Sequence, residues 1–391
     1  MVGQLDLQRV GALHAALLER VDPSARGKEL EERVRRALRV LLNERGETWD
    51  AAIEQAVLDE ALALGPLTHV LRDKSVREVM VVGPDQIWVE RNGRIQSIAT
   101  CFSSEQALRR VAQRIVDPLG RQIDEGSPVV DGRLPDGSRV HAVIPPISLV
   151  GTCITIRRFP ETALTAHDLL ASGSLTEEAL DFLRQSVFER ANIIVSGGTG
   201  SGKTTLLNVL SALIPGGERI VTIEDAAELR LHQAHVVTLE ARPPNAEGRG
   251  AVTIRDLVKA SLRMRPDRII VGECRSGEAL DMLQAMNTGH DGSLTTLHAN
   301  SPADALSRLE VLALMAGVDL PLNALRRQIA GAVDLIIQIE RDRRGHRRVC
   351  AISEVAGLRD GNLVLDPLFV HDGRTLRASG LAARCLQGRA A

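Results

Sequence analysis

One glycine-rich segment limits what this chain can fold into. The apolar run Ile193-Ile-Val-Ser196 leads directly into Gly197-Gly-Thr-Gly-Ser-Gly-Lys203-Thr204, and a helical pattern follows from Thr205 to Ile214. This is G-x-x-x-x-G-K-[ST] between a strand and a helix, the context that the pattern requires. In such a loop, backbone N–H groups converge on phosphate oxygens at the start of the helix. The sequence therefore predicts a phosphate-binding loop within an α/β domain.

The residues of this loop have separate expected roles. Lys203 is expected to reach the β and γ phosphates of ATP, as a binding and a catalytic group, and Thr204 to offer its hydroxyl to Mg²⁺. The predicted nucleotide-binding residues are Gly197, Gly198, Thr199, Gly200, Ser201, Gly202, Lys203, Thr204 and Thr205. ATP and Mg²⁺ are therefore the predicted cofactors.

Polar side chains follow three further apolar runs that are predicted to be strands. Ile220-Val-Thr-Ile223 is followed by Glu224-Asp225 and then Glu228, Ile269-Ile-Val271 by Gly272-Glu273, and Leu294-Thr-Thr-Leu297 by His298. Because open parallel sheets bind ligands at the carboxyl ends of their strands, we expect these side chains to lie beside the phosphate loop.

A P-loop hydrolase needs one carboxylate for the Mg²⁺ shell and another to orient the attacking water. Glu273 and Glu228 are the candidates, although these two acids and Glu224 could instead cap a helix or form an ion pair. His298 is a candidate because it follows a strand on the nucleotide side, and His290 is a second. Either histidine could instead be a structural group with its hydrogen bonds satisfied.

The organisation along the chain predicts four regions. Residues 1–60 form an amino-terminal helical region, 61–165 a small α+β domain, 166–186 a helical linker, and 187–391 an α/β domain with a parallel sheet between helices. The first helices could pack on their own domain or dock a partner. In the linker, Ser174 and Glu177 are spaced like a capping box.

Composition restricts the environment of the protein. The formal net charge of -2 gives no global attraction to nucleic acid or acidic lipid. The five cysteines are scattered and never spaced C-x-x-C, which argues against a disulfide framework or a zinc site. No apolar run approaches the roughly 20 residues that cross a bilayer, and no signal peptide begins the chain. We therefore expect a cytoplasmic protein with at most peripheral membrane contact.

Arginines beside turn signals in the small domain are candidates for a role in phosphoryl transfer. They are Arg133, Arg139, Arg157 and Arg158. Arginine neutralises charge that develops on a transferred phosphoryl group, and one supplied from a separate domain couples hydrolysis to domain closure. The alternative is that these arginines only form a soluble basic surface, and Arg263 and Arg265 leave the same two interpretations open.

Four ordered motifs together resemble a known family. Beside the phosphate loop, Ile223-Glu-Asp-Ala-Ala-Glu-Leu229 resembles an aspartate box, Arg265-Pro-Asp-Arg-Ile-Ile-Val-Gly-Glu273 an atypical Walker B segment, and Thr288-Gly-His-Asp-Gly-Ser-Leu-Thr-Thr-Leu-His-Ala299 a histidine box. This set is similar to the secretion traffic ATPases of type II and type IV systems, and among them to the Tad/Cpa-type pilus-assembly ATPases. The resemblance covers about residues 65 to 370.

The resemblance implies a fold and a set of roles. The fold is a RecA-like P-loop domain with a smaller PAS-like α+β domain and amino-terminal helices. Glu228 would be the catalytic glutamate, Glu273 the Walker B acid that joins Thr204 at Mg²⁺, and His290 and His298 would sense the γ-phosphate. Gly272 stands where Walker B usually has aspartate, as in the resembled family, and this leaves the Mg²⁺ ligand less defined.

The resemblance also implies partners and a location. It implies a homo-hexameric ring that sends Arg139 and Arg157 into the nucleotide cleft and works on inner-membrane platform proteins, at the cytoplasmic side of a bacterial membrane. The segment Arg242-Pro-Pro-Asn-Ala-Glu-Gly-Arg249 resembles a loop of the Tad/Cpa group. Since no tetracysteine element is present, the Tad/Cpa or type IV branches are favoured over the type II branch.

The phosphate loop is also compatible with a nucleic-acid motor or a small-molecule kinase. A RecA-like nucleic-acid motor or DNA-transfer ATPase is the main alternative, but an aromatic content of 2% leaves few stacking platforms for single strands. The basic stretch Arg341-Asp-Arg-Arg-Gly-His-Arg-Arg348 could touch phosphates, although a solvated hairpin turn is the favoured interpretation. A small-molecule kinase would need an acceptor pocket and a lid, which no segment predicts.

Overall fold

The chain folds into two compact units, Met1–Glu161 and Thr162–Ala391. The computed structural model describes residues 6–21, 27–91, 93–119, 121–158, 164–244, 248–342 and 344–386. The division between the units falls four residues before the end of the predicted α+β domain at residue 165. Part of the loop that resembles the Tad/Cpa group lies outside the described residues.

Helices open the first unit. They are α1 Leu7–Leu18, α2 Gly27–Glu44, α3 Ala51–Leu62 and the short α4 Leu67–Val70. Their apolar faces pack together through buried residues such as Leu13, Leu38 and Val57. Glu60 at the end of α3 accepts a hydrogen bond from the backbone N–H of Ser103 at 2.7 Å, which joins the helices to the strand-rich part of the same unit. This agrees with the interpretation that the helices pack on their own domain.

An antiparallel sheet and one helix form the rest of the first unit. The strands are β1 Val76–Val82, β2 Gln86–Arg91, β3 Arg94–Ile98, β4 Val129–Arg133, β5 Arg139–Val143 and β6 Cys153–Arg157, and the helix is α5 Glu105–Val116, followed by a 3-10 turn at Asp117–Leu119. The strand order is β3-β2-β1-β6-β5-β4. Alternate residues of β1 are buried, and α5 adds its apolar face to the same core.

The second unit is built on one large sheet. Its helices are α6 Ala166–Ala171, α7 Glu177–Phe188, α8 Lys203–Ala212, α9 Ile254–Ser261, α10 Glu278–Asn287, α11 Pro302–Leu314 and α12 Leu322–Ala332. Its strands are β7 Ile193–Gly197, β8 Ile220–Glu224, β9 Val236–Glu240, β10 Arg268–Val271, β11 Leu294–His298, β12 Leu335–Arg341, β13 Arg347–Arg359, β14 Asn362–His371 and β15 Leu376–Ala378. A 3-10 turn at Arg384–Leu386 follows.

The sheet is parallel where it carries the phosphate loop. Strand order is β15-β14-β13-β12-β7-β11-β10-β8-β9, with parallel pairing from β12 to β9 and antiparallel pairing from β12 to β15. Ile193 and Val195 of β7 belong to one core with α6, α7 and α8, whereas Ile194 belongs to a second core with α9 to α12. Because successive strand residues face opposite sides, helices cover both faces. The predicted α/β fold is confirmed.

The start of α7 differs from the prediction. Thr176, not Ser174, is the N-cap, and its side chain accepts from the backbone N–H of Ala179. Ser174 lies two residues before that cap, so its hydroxyl is too early in the chain to reach the first helical turn. It donates instead to the carbonyl of Arg347 at 2.6 Å.

A buried ion pair holds the amino ends of the strands together. The side chain of Arg268, at the start of β10, is fully buried, and its Nε lies 2.6 Å from Oε2 of Glu218. Its guanidinium also donates to the carbonyls of Val187 and Gly292. One side chain therefore joins α7, β10 and the turn before β11.

We expect Glu218→Gln to destabilise the second unit by about 3–5 kcal/mol, because it leaves the buried Arg268 charge without a counter-ion. The measurement is the shift of the urea unfolding midpoint. Asp181→Asn, which removes the partner of the exposed Arg184, is the matched control and should change stability by about 1 kcal/mol or less. Equal effects of the two variants would contradict the role given to the buried pair.

No helix in the described ranges is both long enough and apolar enough to cross a membrane.

Candidate active site

The phosphate loop joins the end of β7 to the start of α8. Gly200 and Gly202 have φ angles of 69° and 102°, a region that favours glycine. At Gly197 a Cβ atom would lie 2.3 Å from the carbonyl oxygen of Ile339 on the neighbouring strand β12. Thr204 and Thr205 lie half-buried in the first turn of α8. The glycines therefore allow both the tight turn and the close approach of the next strand.

Lys203 is held inside the loop. Its Nζ donates to the carbonyls of Gly197 and Gly198 at 3.0 Å each and lies 3.4 Å from either ring nitrogen of His298. Burial lowers the pKa of Lys203, and the nearby carboxylate of Glu273 acts in the opposite direction. The ammonium group is thus largely desolvated and held against the carbonyls of the phosphate loop.

Parallel strand pairing brings three predicted residues together. His298, the last residue of β11, pairs in register with Gly197 of β7. Its Nε2 lies 3.0 Å from Oε1 of Glu273, which follows β10. Burial and the charge of Lys203 lower the pKa of His298, while Glu273 acts to raise it. Lys203, His298 and Glu273 therefore form one cluster at the carboxyl edge of the sheet.

Arg275 joins this cluster, although the sequence reasoning did not single it out. Its Nε and Nη2 lie 2.8 and 2.6 Å from Oε2 of Glu273, and its Nη1 lies 3.3 Å from Asp225. Burial acts to lower the pKa of Arg275, but the hydrogen bond with Glu273 and the charges of Asp225 and Glu228 outweigh it, so the pKa is raised. Its place two residues after the Walker B glutamate was the only sequence signal.

Glu224 holds the segment that carries Glu228. The side chain of Glu224 is buried, and its Oε1 accepts from the backbone N–H of Glu228 at 3.0 Å and of Leu229 at 3.2 Å. Asn208 of α8 accepts from the backbone N–H of Arg230 at 2.8 Å. Glu224 thus has the structural role that the sequence left as an alternative, and it orients the backbone at Glu228.

Gly272 makes room for Glu224. A Cβ atom at position 272 would lie 2.9 Å from Cγ of Glu224, so a larger residue would push this buried carboxylate away. The carbonyl of Gly272 accepts from the hydroxyl of Thr296 on β11 at 2.8 Å. The glycine at the usual aspartate position therefore has a packing reason in this protein.

His290 lies at the opposite edge of the sheet. It precedes β11, and its carbonyl accepts from the hydroxyl of Ser293, whose backbone N–H bonds Asn192 at the start of β7. At about 3.3 Å per residue, the length of β11 separates this edge from His298 by about 13 Å. The structure does not bring His290 to the phosphate loop of its own chain.

The candidate arginines of the first unit lie side by side on three strands. Arg139 of β5 pairs in register with Arg133 of β4 and with Arg157 of β6. The three arginines therefore form a row across β4, β5 and β6. Arg158 is used within the unit, since it donates to the carbonyl of Asp73 at 2.7 Å.

Comparison with known proteins identifies the family. Residues 60–362 match the family described as Type II/IV secretion system protein. The chain is 40% identical over 320 residues to a putative conjugal transfer protein of Mycobacterium tuberculosis, which covers 80% of this chain and 90% of that protein. It is 39% identical over 300 residues to the type IV secretion system protein PtlH of Bordetella pertussis, covering 69% of this chain and 87% of PtlH.

A solved structure agrees in fold. The ATPase DotB of Legionella pneumophila superposes with a TM-score of 0.52 at 21% identity, covering 74% of this chain and 78% of DotB. The chain belongs to the type II/IV secretion system ATPase family, and it is an ATPase with a RecA-like P-loop fold.

Proposed function

We propose that this chain is a subunit of a homo-hexameric motor that hydrolyses ATP at the cytoplasmic face of a bacterial inner membrane. Its work is pilus assembly or type IV protein secretion through membrane-embedded platform proteins. The observation that carries the proposal is the cluster of Lys203, His298, Glu273 and Arg275 beside the phosphate loop. The cluster joins the ends of β7, β10 and β11. Loss of the terminal phosphate therefore changes the contacts of all three strand ends at once.

Magnesium fits the residues present. Oε1 of Glu273 is a buried oxygen that lies 3.0 Å from Nε2 of His298. Among the described residues no donor is aligned to form a hydrogen bond with it, so this oxygen can still coordinate a cation. Mg²⁺ prefers such carboxylate and hydroxyl oxygens, so Glu273 and Thr204 would hold it together with the nucleotide phosphates. When bound, the ion neutralises charge on the β and γ phosphates.

The protein groups divide the remaining work. Backbone N–H groups of Gly198 to Thr205 bind the phosphates, and Lys203 stabilises the charge of the leaving group. Glu228 orients the attacking water, because the Glu224 hydrogen bonds fix its backbone beside Asp225 and Arg275. His298 lies between Lys203 and Glu273 and responds to the terminal phosphate. We leave His290 out of this reaction because it lies at the other edge of the sheet.

The arginine row of the first unit supplies the final charge. Arg139 and Arg157 close on the terminal phosphoryl group, either in their own subunit or in the next one, and hydrolysis reopens the cleft. An arginine supplied from a separate body makes closure depend on ATP, which converts chemical change into movement. The register that places Arg139 beside Arg157 lets two guanidinium groups reach one anionic ligand together.

We expect Glu273→Gln to retain ATP binding and lose about 10³-fold in kcat, because it removes a charge needed around the transferred phosphoryl group. Lys203→Ala is the control that should lose both binding and turnover. Binding is measured with a fluorescent ATP analogue and turnover by phosphate release. Full activity of Glu273→Gln would sink the assignment of this residue.

We expect the purified chain to form particles of six copies of the 42.3 kDa subunit when a non-hydrolysable ATP analogue is present. Mass photometry measures this. Within such a ring, a mixture of the inactive Arg139→Ala and Glu228→Gln subunits should regain turnover if the arginine acts on the neighbouring subunit. A stable monomer with full ATPase activity would contradict the ring.

A second candidate function is DNA transfer. Its support is the Mycobacterium tuberculosis relative, whose name describes conjugal transfer, and the basic turn between β12 and β13. The narrower Tad/Cpa assignment stays a prediction, because the relatives are named for conjugal transfer and for type IV secretion.

Stimulation of ATP turnover separates these functions. We expect liposomes of bacterial anionic lipid carrying a platform protein encoded beside this chain to raise the turnover rate, and single-stranded DNA to leave it unchanged. The physical reason is that few aromatic side chains are available to stack with bases. Stimulation by single-stranded DNA alone would reverse the ranking.

A further inference from the structure

The phosphate loop is held from both sides of β7. On the β11 side, Lys203 lies against His298. On the β12 side, Nε of Arg347 donates to the carbonyl of Gly200 at 3.0 Å. A Cβ atom at Gly202 would lie 3.1 Å from Cδ of Arg347, so the stem of this side chain lies across the second half of the loop. Arg347 therefore restrains the orientation of the Gly200 peptide.

Arg347 is in turn held by Ser174. The hydroxyl of Ser174 donates to the carbonyl of Arg347 at 2.6 Å, and the carbonyl of Ser174 accepts from the backbone N–H of Val349 at 2.9 Å. Ser174 is buried, with 8% of its surface exposed. Two hydrogen bonds to alternate residues fix the beginning of β13 against the turn between α6 and α7.

This turn lies early in the second unit. The chain passes from the first unit to the second at residues 161 and 162, and α6 and α7 are the first helices that follow. Both helices, and the turn between them, precede every strand of the large sheet. The turn thus lies near the start of the unit along the chain. Two hydrogen bonds, from Ser174 to Arg347 and from Arg347 to Gly200, connect it to the phosphate loop.

We infer that Ser174 and Arg347 are positioning residues that couple the α6–α7 turn to the phosphate loop. Displacement of the turn shifts the start of β13, releases or tightens the Arg347 bond to Gly200, and so changes nucleotide affinity. By linkage, nucleotide binding shifts the equilibrium between positions of the turn, with the same coupling free energy. The inference rests on the proposed function, since it gives the motor a route between nucleotide and chain movement.

Two simpler explanations make different predictions. Arg347 could act only as one more positive charge near the phosphates. In that case Arg347→Lys keeps wild-type nucleotide affinity, and removing any other arginine of the same turn weakens binding as much as removing Arg347. It could also serve only the stability of the β12–β13 hairpin, in which case Ser174 has no effect on nucleotide binding. Arg344, in the same turn, is a matched control for charge, with its backbone N–H bonded to Asp342.

The test measures the affinity of the full chain for fluorescent ADP with Mg²⁺. We expect Arg347→Gln to weaken binding about tenfold, the effect of losing one charge-assisted hydrogen bond, and Arg347→Lys to weaken it similarly, because an ammonium lacks the directed Nε–H. Ser174→Ala should weaken binding about threefold in the wild-type background and have no further effect with Arg347→Gln. Arg344→Gln should stay within about twofold of wild type.

Steady-state kinetics give a second readout. Arg347→Lys should raise KM for ATP with a smaller change in kcat, because the residue acts on binding through the loop and does not touch the reacting atoms. Urea unfolding of each variant shows whether the variant is folded. If Arg347→Gln does not fold, the affinity of Ser174→Ala for fluorescent ADP provides the test.

The outcomes separate this inference from the proposed function. Wild-type affinity for ADP in Arg347→Lys, or equal losses in Arg344→Gln and Arg347→Gln, would overturn the positioning role. Additive effects of Ser174→Ala and Arg347→Gln would overturn the coupling. A wild-type chain that neither binds ADP nor hydrolyses ATP would instead reject the proposed function.

Discussion

The parallel pairing of β7 with β11 is the constraint on which the site depends. This register places the end of the phosphate loop strand beside His298, and β10 on the far side of β11 delivers Glu273 to the same edge. Lys203 can then be desolvated without losing its partners, because two loop carbonyls accept from it and an acid lies near. A lysine buried without these groups would favour its neutral form and bind phosphate poorly.

Two carboxylates lie at the ends of neighbouring strands of the site, Glu224 buried and Glu273 half-buried. These strands pair in parallel, yet the structure gives each carboxylate a different set of donors. Glu224 receives backbone N–H groups, whereas Glu273 receives Arg275. Gly272 between the two strand ends is what allows this arrangement, because any side chain there would meet Cγ of Glu224. The usual Walker B aspartate is thus incompatible with the way Glu224 holds the segment that carries Glu228.

Local patterns carried much of the prediction. The phosphate loop, the alternation of apolar strands with helices, and the hairpin that surrounds the basic turn all depend on neighbours in sequence, and the structure contains each of them. The capping box at Ser174 was wrong, because the spacing to Glu177 favoured Ser174 whereas the helix begins after Thr176. The role of Arg275 was missed because its partners, Asp225 and Glu273, meet only through sheet pairing.

The sequence by itself determined which chemistry is present and in what order along the chain: a phosphate loop, acids after strands, histidines around a strand, and arginines in a separate domain. Only the tertiary structure decided which acid is structural, that the two histidines lie at opposite edges of the sheet, and that Ser174 reaches Arg347. The physical reason is that these outcomes depend on strand order and on hydrogen bonds between residues up to 173 positions apart. Periodicity and spacing report local conformation, whereas contacts at that separation form only when the sheet is complete.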